Sequence, residues 1–149
     1  MALHLHALSR LGHAGADIGA FVDDAAAFPA QSDAADDATR AAVAAWGLET
    51  CALHAEEASN ALTAVIVPEG WDAEALRTTI LERFDMSLGT GLGTLKGRVF
   101  RIGHLGDLNA LTLLGTLAGV EMGLSLAGVP HESGGVAAAM EYLTKEEEL

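Results

Sequence analysis

A short strand boxed in by glycines limits what this chain can become. Between Val99 and Ile102, an extended backbone places Val99 and Arg101 on one face and Phe100 and Ile102 on the other. Gly89, Gly91 and Gly93 precede the strand, and Gly103 and Gly106 follow it, so tight turns or a close backbone approach are available at both ends. An arginine in the middle of a sheet is costly unless its guanidinium reaches water, a carboxylate or a ligand. Arg101 can therefore be a ligand clamp, one half of an ion pair with Asp107 or Glu121, or a solvated side chain. Its planar fork suits a small carboxylate through two parallel hydrogen bonds, a geometry that lysine does not offer.

The remaining pattern is that of a two-layer α+β domain, with a short, largely antiparallel sheet packed by helices. Residues 1–37 differ in texture: they carry His4, His6, His13 and an acidic, alanine-rich run at 31–37, and read as a divergent segment, flexible or helical. Residues 38–149 read as the small domain with an acidic tail. Asp37 is positioned to cap a helix through Trp46, with Gly47 as its stop. Leu48–Leu53 predicts a short strand holding a structural Cys51, and residues 54–60 a polar loop. Leu62–Val67 is the clearest apolar strand, closed by Pro68 and Gly70.

Asp72 then opens a helix whose Leu76, Ile80 and Phe84 share a face that Leu81 widens, leaving Glu74, Arg77, Glu82 and Arg83 to solvent. Met86–Leu88 predicts a strand that forms a hairpin with residues 99–102. Asp107 or Asn109 caps a helix running to Leu126, in which Gly115, Gly119 and Gly123 recur every four residues and imply close backbone packing. Gly128 and Pro130 break it, and a last helix offers Val136, Met140, Tyr142 and Leu143 for packing.

Charge and composition exclude several classes. Twenty-one acids against 8 bases give a net charge of −13. That balance leaves no basic patch for nucleic acid or an anionic membrane. A single cysteine excludes an internal disulfide and a multi-cysteine metal centre, and suits a reducing, cytoplasmic setting. The first 30 residues make a poor signal peptide, and no apolar run approaches the roughly 18 residues of a transmembrane helix.

Catalytic patterns are equally thin. The glycines at 89–93 leading to Lys96 complete neither a dinucleotide fingerprint nor a phosphate loop, and they enter a strand rather than a helix. His54, Glu56 and Glu57 have a spacing that fixes no metal geometry. Ser87, Ser133, His104, His131 and Asp107 are pieces of a hydrolase site without a nucleophile elbow, and the two histidines read as surface or interface residues. No catalytic or metal-binding residue is assigned.

Four segments carry a resemblance: Ala64–Gly70 (AVIVPEG), Ser87–Gly93 (SLGTGLG), Gly97–Gly106 (GRVFRIGHLG) and Leu113–Gly123 (LLGTLAGVEMG). Together they make residues 38–143 resemble the C-terminal small domain of class V pyridoxal-phosphate aminotransferases, of the alanine–glyoxylate and serine–pyruvate group. The resemblance implies that Arg101 matches the arginine binding the carboxylate of an amino or oxo acid. It implies, for the complete parent enzyme, amino-group transfer between small amino acids and glyoxylate or pyruvate with pyridoxal phosphate. Only Lys96 and Lys145 are present, and neither matches the cofactor-binding lysine of the family's large domain. The expectation is an incomplete or stand-alone small domain, not catalytic alone and needing no cofactor. It would bind a small carboxylate and associate with itself or with a large-domain partner.

Overall fold

The computed structural model describes residues 33–52 and 54–145. Its order is α1 (33–45), β1 (Glu49–Thr50), β2 (Leu62–Ile66), α2 (Ala73–Phe84), β3 (Gly89–Thr90), β4 (Val99–Gly103), α3 (Ala110–Leu126) and α4 (Gly135–Lys145). The four strands form one antiparallel sheet in the order β1-β2-β4-β3. This is the expected α+β architecture. In it β4, the strand that bears Arg101, is paired on both sides.

Strand alternation decides where the core lies. Val65 on β2 pairs with Phe100 on β4, and Thr63 with Ile102, so these four share the buried face. Against it pack Val43 from α1 and Trp46 just after it, Leu76 and Ile80 from α2, and Leu113, Leu117, Val120 and Leu124 from α3. The opposite face carries Leu62, Ala64 and Ile66 beside Arg101, all half-buried.

Local signals account for most helix ends. Asp72 caps α2 by accepting from the Glu74 amide at 2.9 Å, and α2 closes at Asp85, whose left-handed backbone (φ 52°) sends its N–H to the Leu81 carbonyl. Asn109, rather than Asp107, caps α3, and Thr112 returns the bond in a capping box. Of the three spaced glycines, two meet neighbours. A Cβ at Gly119 would lie 2.8 Å from Met86 Cε, and one at Gly123 2.2 Å from Ile80 Cγ1, whereas Gly115 faces open space.

Several expectations are corrected. Helix α1 extends back to residue 33, so Asp37 lies inside it and accepts from the Tyr142 hydroxyl at 2.7 Å instead of capping. The first strand shrinks to Glu49–Thr50. The hairpin strand falls at Gly89–Thr90 rather than Met86–Leu88, because the Leu88 carbonyl is taken by Arg77 Nε at 2.8 Å and Met86 fills the Gly119 notch. Arg77 and Glu74 thus turn inward and brace β3, with the Thr90 hydroxyl donating to Glu74 at 2.6 Å. Leu81 and Met140 are exposed rather than packed. The expectations for residues 1–32 and for the tail beyond 145 lie outside the described residues.

Candidate functional site

Arg101 stands at the centre of β4, with Ala64 of β2 directly opposite on one side and Gly89 of β3 on the other. Cross-strand partners share a face, so the arginine lies between the two smallest side-chain positions available. It is half-buried, and its Nε is buried without a hydrogen-bond partner. Neither ion-pair candidate reaches it. Asp107 is exposed on the β4–α3 connection, and no carboxylate among the described residues pairs with Arg101.

Glu121 is committed elsewhere. Its carboxylate accepts from Trp46 Nε1 at 2.9 Å, the Gly134 amide at 2.9 Å and the Val136 amide at 3.2 Å, tying α1 and α3 to the start of α4. Burial pushes its pKa up, but these donors outweigh that and hold the carboxyl below its usual value. Sequence reasoning missed this role because Trp46 and Glu121 are 75 positions apart.

At the end of β4, His104 is 2% exposed and not a surface residue. Its Nε2 lies 2.9 Å from the Thr63 hydroxyl and 3.5 Å from Asp36 Oδ1. Thr63 donates to the same Asp36 oxygen at 3.3 Å, and Arg40 Nε pairs with Asp36 Oδ2 at 3.2 Å. His104 thus sits in one buried cluster with Thr63 and Asp36. Burial lowers its pKa against the opposing pull of Asp36, and burial likewise raises Asp36 against Arg40 and His104. The network joins α1 to β2 and β4 and holds no nucleophile.

The other candidates separate. Ser87 and Ser133 are exposed, while His131 bonds the Val129 carbonyl at 2.7 Å and Ser125 at 3.3 Å, so no Ser–His–acid arrangement forms among the described residues. Cys51 is half-buried, and burial raises its thiol pKa, which disfavours the nucleophilic thiolate. It lines a cleft of about 360 Å³ with Asp36, Arg40, Thr50 and Ser59. A larger cleft of about 680 Å³ is lined by Glu49, Ile66, Pro68, Trp71 and Arg98, but not by Arg101. Among the described residues no three His, Cys, Asp or Glu side chains converge on a metal position. No helix of the described residues is long and apolar enough to cross a membrane.

No protein-family model matches the chain. It is 53% identical over 108 residues to a serine–glyoxylate aminotransferase of Methylorubrum extorquens, an overlap of 72% of this chain and 27% of that protein. A serine–glyoxylate aminotransferase of Arabidopsis thaliana is 52% identical over 107 residues, covering 71% and 27%. The crystal structure of pyridoxamine–pyruvate aminotransferase from Mesorhizobium loti superposes with a TM-score of 0.73 at 30% identity, over 78% of this chain and 30% of that one. The chain is homologous to a part of the class V aminotransferases. It spans about a quarter of the length of the curated relatives it matches, 27% in both cases above.

Within this aminotransferase-type domain, the described residues do not fit pyridoxal phosphate. Lys96 is exposed at the end of the turn formed by Gly93–Leu95, and Lys145 is exposed at the end of α4, paired with Glu141. Neither lines either of the two clefts above. What the domain does hold is the arginine strand.

Proposed function

We propose that this chain is an aminotransferase-type small domain whose Arg101 binds the carboxylate of a small amino or oxo acid, and that it has no aminotransferase activity of its own. The observation that carries the reading is Arg101 itself: a half-buried guanidinium on a central strand, with a buried Nε and no carboxylate partner among the described residues. An incoming carboxylate supplies the missing counter-charge. Similarity to serine–glyoxylate and pyridoxamine–pyruvate aminotransferases points to glyoxylate, pyruvate or serine as the ligand class. Titration calorimetry with glyoxylate and pyruvate tests it. Binding to the native chain that is lost in Arg101→Ala and weakened in Arg101→Lys supports the role; equal binding by native chain and Arg101→Ala overturns it. With pyridoxal phosphate, the chain is expected to develop no visible absorbance band dependent on Lys96, and a stoichiometric band abolished by Lys96→Ala would refute the inactive reading.

A second element of the proposal concerns partners. Leu111, Met122 and Leu126 are exposed on α3 at 79%, 48% and 51%, and the exposed Gly115 lies between them. An apolar helix face of this kind supports docking against a large-domain chain or a second copy. Light scattering on the native chain and on Met122→Glu tests self-association; a concentration-independent monomer counts against it. Neither nucleic acid nor membrane suits the charge of −13. A cytoplasmic setting completes the reading, supported by the single, unpaired cysteine.

A further inference from the structure

Gly89 is a glycine for a reason its own backbone does not supply. Its φ lies outside the left-handed region, so an alanine would meet no conformational strain there. The nearest atoms to a Cβ built at this position all belong to one residue: Arg101 Cβ and Nε at 3.0 Å, and Arg101 Cζ at 3.5 Å. Other closely packed glycines differ. A Cβ at Gly91 would strike the Leu95 carbonyl oxygen, at Gly123 Ile80, and at Gly135 the Trp46 indole. Gly89 alone of these is kept empty by the arginine.

The empty position is also held firmly. Strand β3 has only two residues, yet it is tied to α2 on both sides of Gly89. Arg77 Nε grips the Leu88 carbonyl at 2.8 Å, Glu74 accepts from Thr90 at 2.6 Å, and Glu74 and Arg77 pair with each other at 2.7 Å. An edge strand of two residues would otherwise be weak.

We propose that Gly89 is a positioning residue: it lets the Arg101 guanidinium lie low across β3, shields Nε, and leaves the two terminal nitrogens to take a carboxylate end-on. The Glu74–Arg77 pair on α2 keeps Gly89 in register with Arg101. This rests on the reading of Arg101 as a carboxylate site, because positioning matters to function only if a ligand arrives. Any side chain at 89 lifts the guanidinium by a few tenths of an ångström or turns it, and bidentate recognition tolerates about half an ångström of error.

The experiment is a double-mutant cycle on the full chain with Gly89→Ala, Arg101→Ala and both together, read by Tm, by glyoxylate calorimetry and by the Arg101 side-chain ¹Hε–¹⁵Nε resonance. Gly89→Ala is expected to lower Tm and to shift the Nε resonance. In the Arg101→Ala background the Nε and Cζ contacts are gone and only the Cβ contact at 3.0 Å remains, so the same change is expected to lower Tm by less. Glyoxylate affinity is expected to fall about tenfold in Gly89→Ala, or about 1.4 kcal/mol. If the native chain binds no glyoxylate while the resonance shift and the smaller Tm loss in the Arg101→Ala background persist, the carboxylate reading fails and the positioning role stands. If glyoxylate binds through Arg101 but Gly89→Ala leaves affinity and resonance unchanged, the positioning role is overturned. Should Gly89→Ala fail to fold, recovery in the double variant supports the inference, and failure of both refutes it.

Discussion

Glu121 joins three helices, and replacing it measures how much of the domain depends on one carboxylate. Its two oxygens receive Trp46 Nε1, Gly134 N and Val136 N at 2.9, 2.9 and 3.2 Å. In Glu121→Gln the shape is kept and the amide can orient in two ways. With its carbonyl oxygen at the Oε2 position it satisfies Trp46 and Val136 and sets an NH₂ against only the Gly134 amide; the reverse orientation leaves two donors opposed. The first is therefore favoured, and one partly buried amide loses a charged acceptor. A hydrogen bond to a charged group contributes about 1.5–3 kcal/mol. Loss of the negative charge at the start of α4 adds about 0.3–1 kcal/mol. Allowing for non-additivity, Glu121→Gln is expected to cost about 2–3 kcal/mol.

Glu121→Ala should cost more, about 3–5 kcal/mol, because it strands the indole N–H of a fully buried Trp46 as well. Urea unfolding at neutral pH, followed by fluorescence in a Trp71→Phe background so that Trp46 is the sole reporter, gives both values. The pH dependence supplies an independent check. The Glu121 pKa is lowered in the folded chain, so its stabilising contribution is present above the ordinary value of 4.5 and is lost as pH falls through the lowered folded value. The gap between native and glutamine variants should close in acid. A glutamine variant as stable as the native chain at neutral pH, or a gap that widens on acidification, would refute the argument.

Three further outcomes are expected. Because burial lowers the pKa of His104 below 6.5, the native chain should lose stability as pH falls through 6.5 towards the lowered folded value, and His104→Gln should flatten that slope; Asp36, raised above 3.8 by burial, acts in the opposite direction at lower pH, so the acid limb is compared between the two proteins rather than in one. Gly123→Ala should destabilise by about 1–3 kcal/mol through overpacking against Ile80, whereas Gly115→Ala, facing open space in mid-helix, should stabilise by up to about 1 kcal/mol in thermal unfolding. Asn109→Ala removes the side-chain half of the α3 capping box, leaving the residue 109 N–H to donate to Thr112, and should cost about 0.5–2 kcal/mol, while Asp107→Ala should change little.

The sequence by itself determined the features that act over a few residues. Alternation placed Phe100 and Ile102 on one face of β4, Asp72 marked the start of α2, Leu76 and Ile80 its buried stripe, and the break at Gly128 the end of α3 near Leu126. These depend on backbone hydrogen bonds and side-chain periods that a window of four to eight residues contains. The four matching segments also carried the homology, and with it the attention to Arg101. Tertiary structure alone decided which partners these groups meet. Arg77 looks solvent-facing by helical period and Glu121 is a candidate partner of Arg101, yet Glu121 captures an indole 75 positions away and Arg77 the Leu88 carbonyl. His104 follows a glycine in a polar stretch, but the pairing of β2 with β4 and the packing of α1 bury it beside Thr63 and Asp36. Three glycines of equal spacing on α3 differ because only two face another element. Arg101 was readable as a costly charge on a strand; that it lies beside Gly89 with no carboxylate partner among the described residues follows from sheet register, which sets neighbours across strands and is invisible to any local pattern.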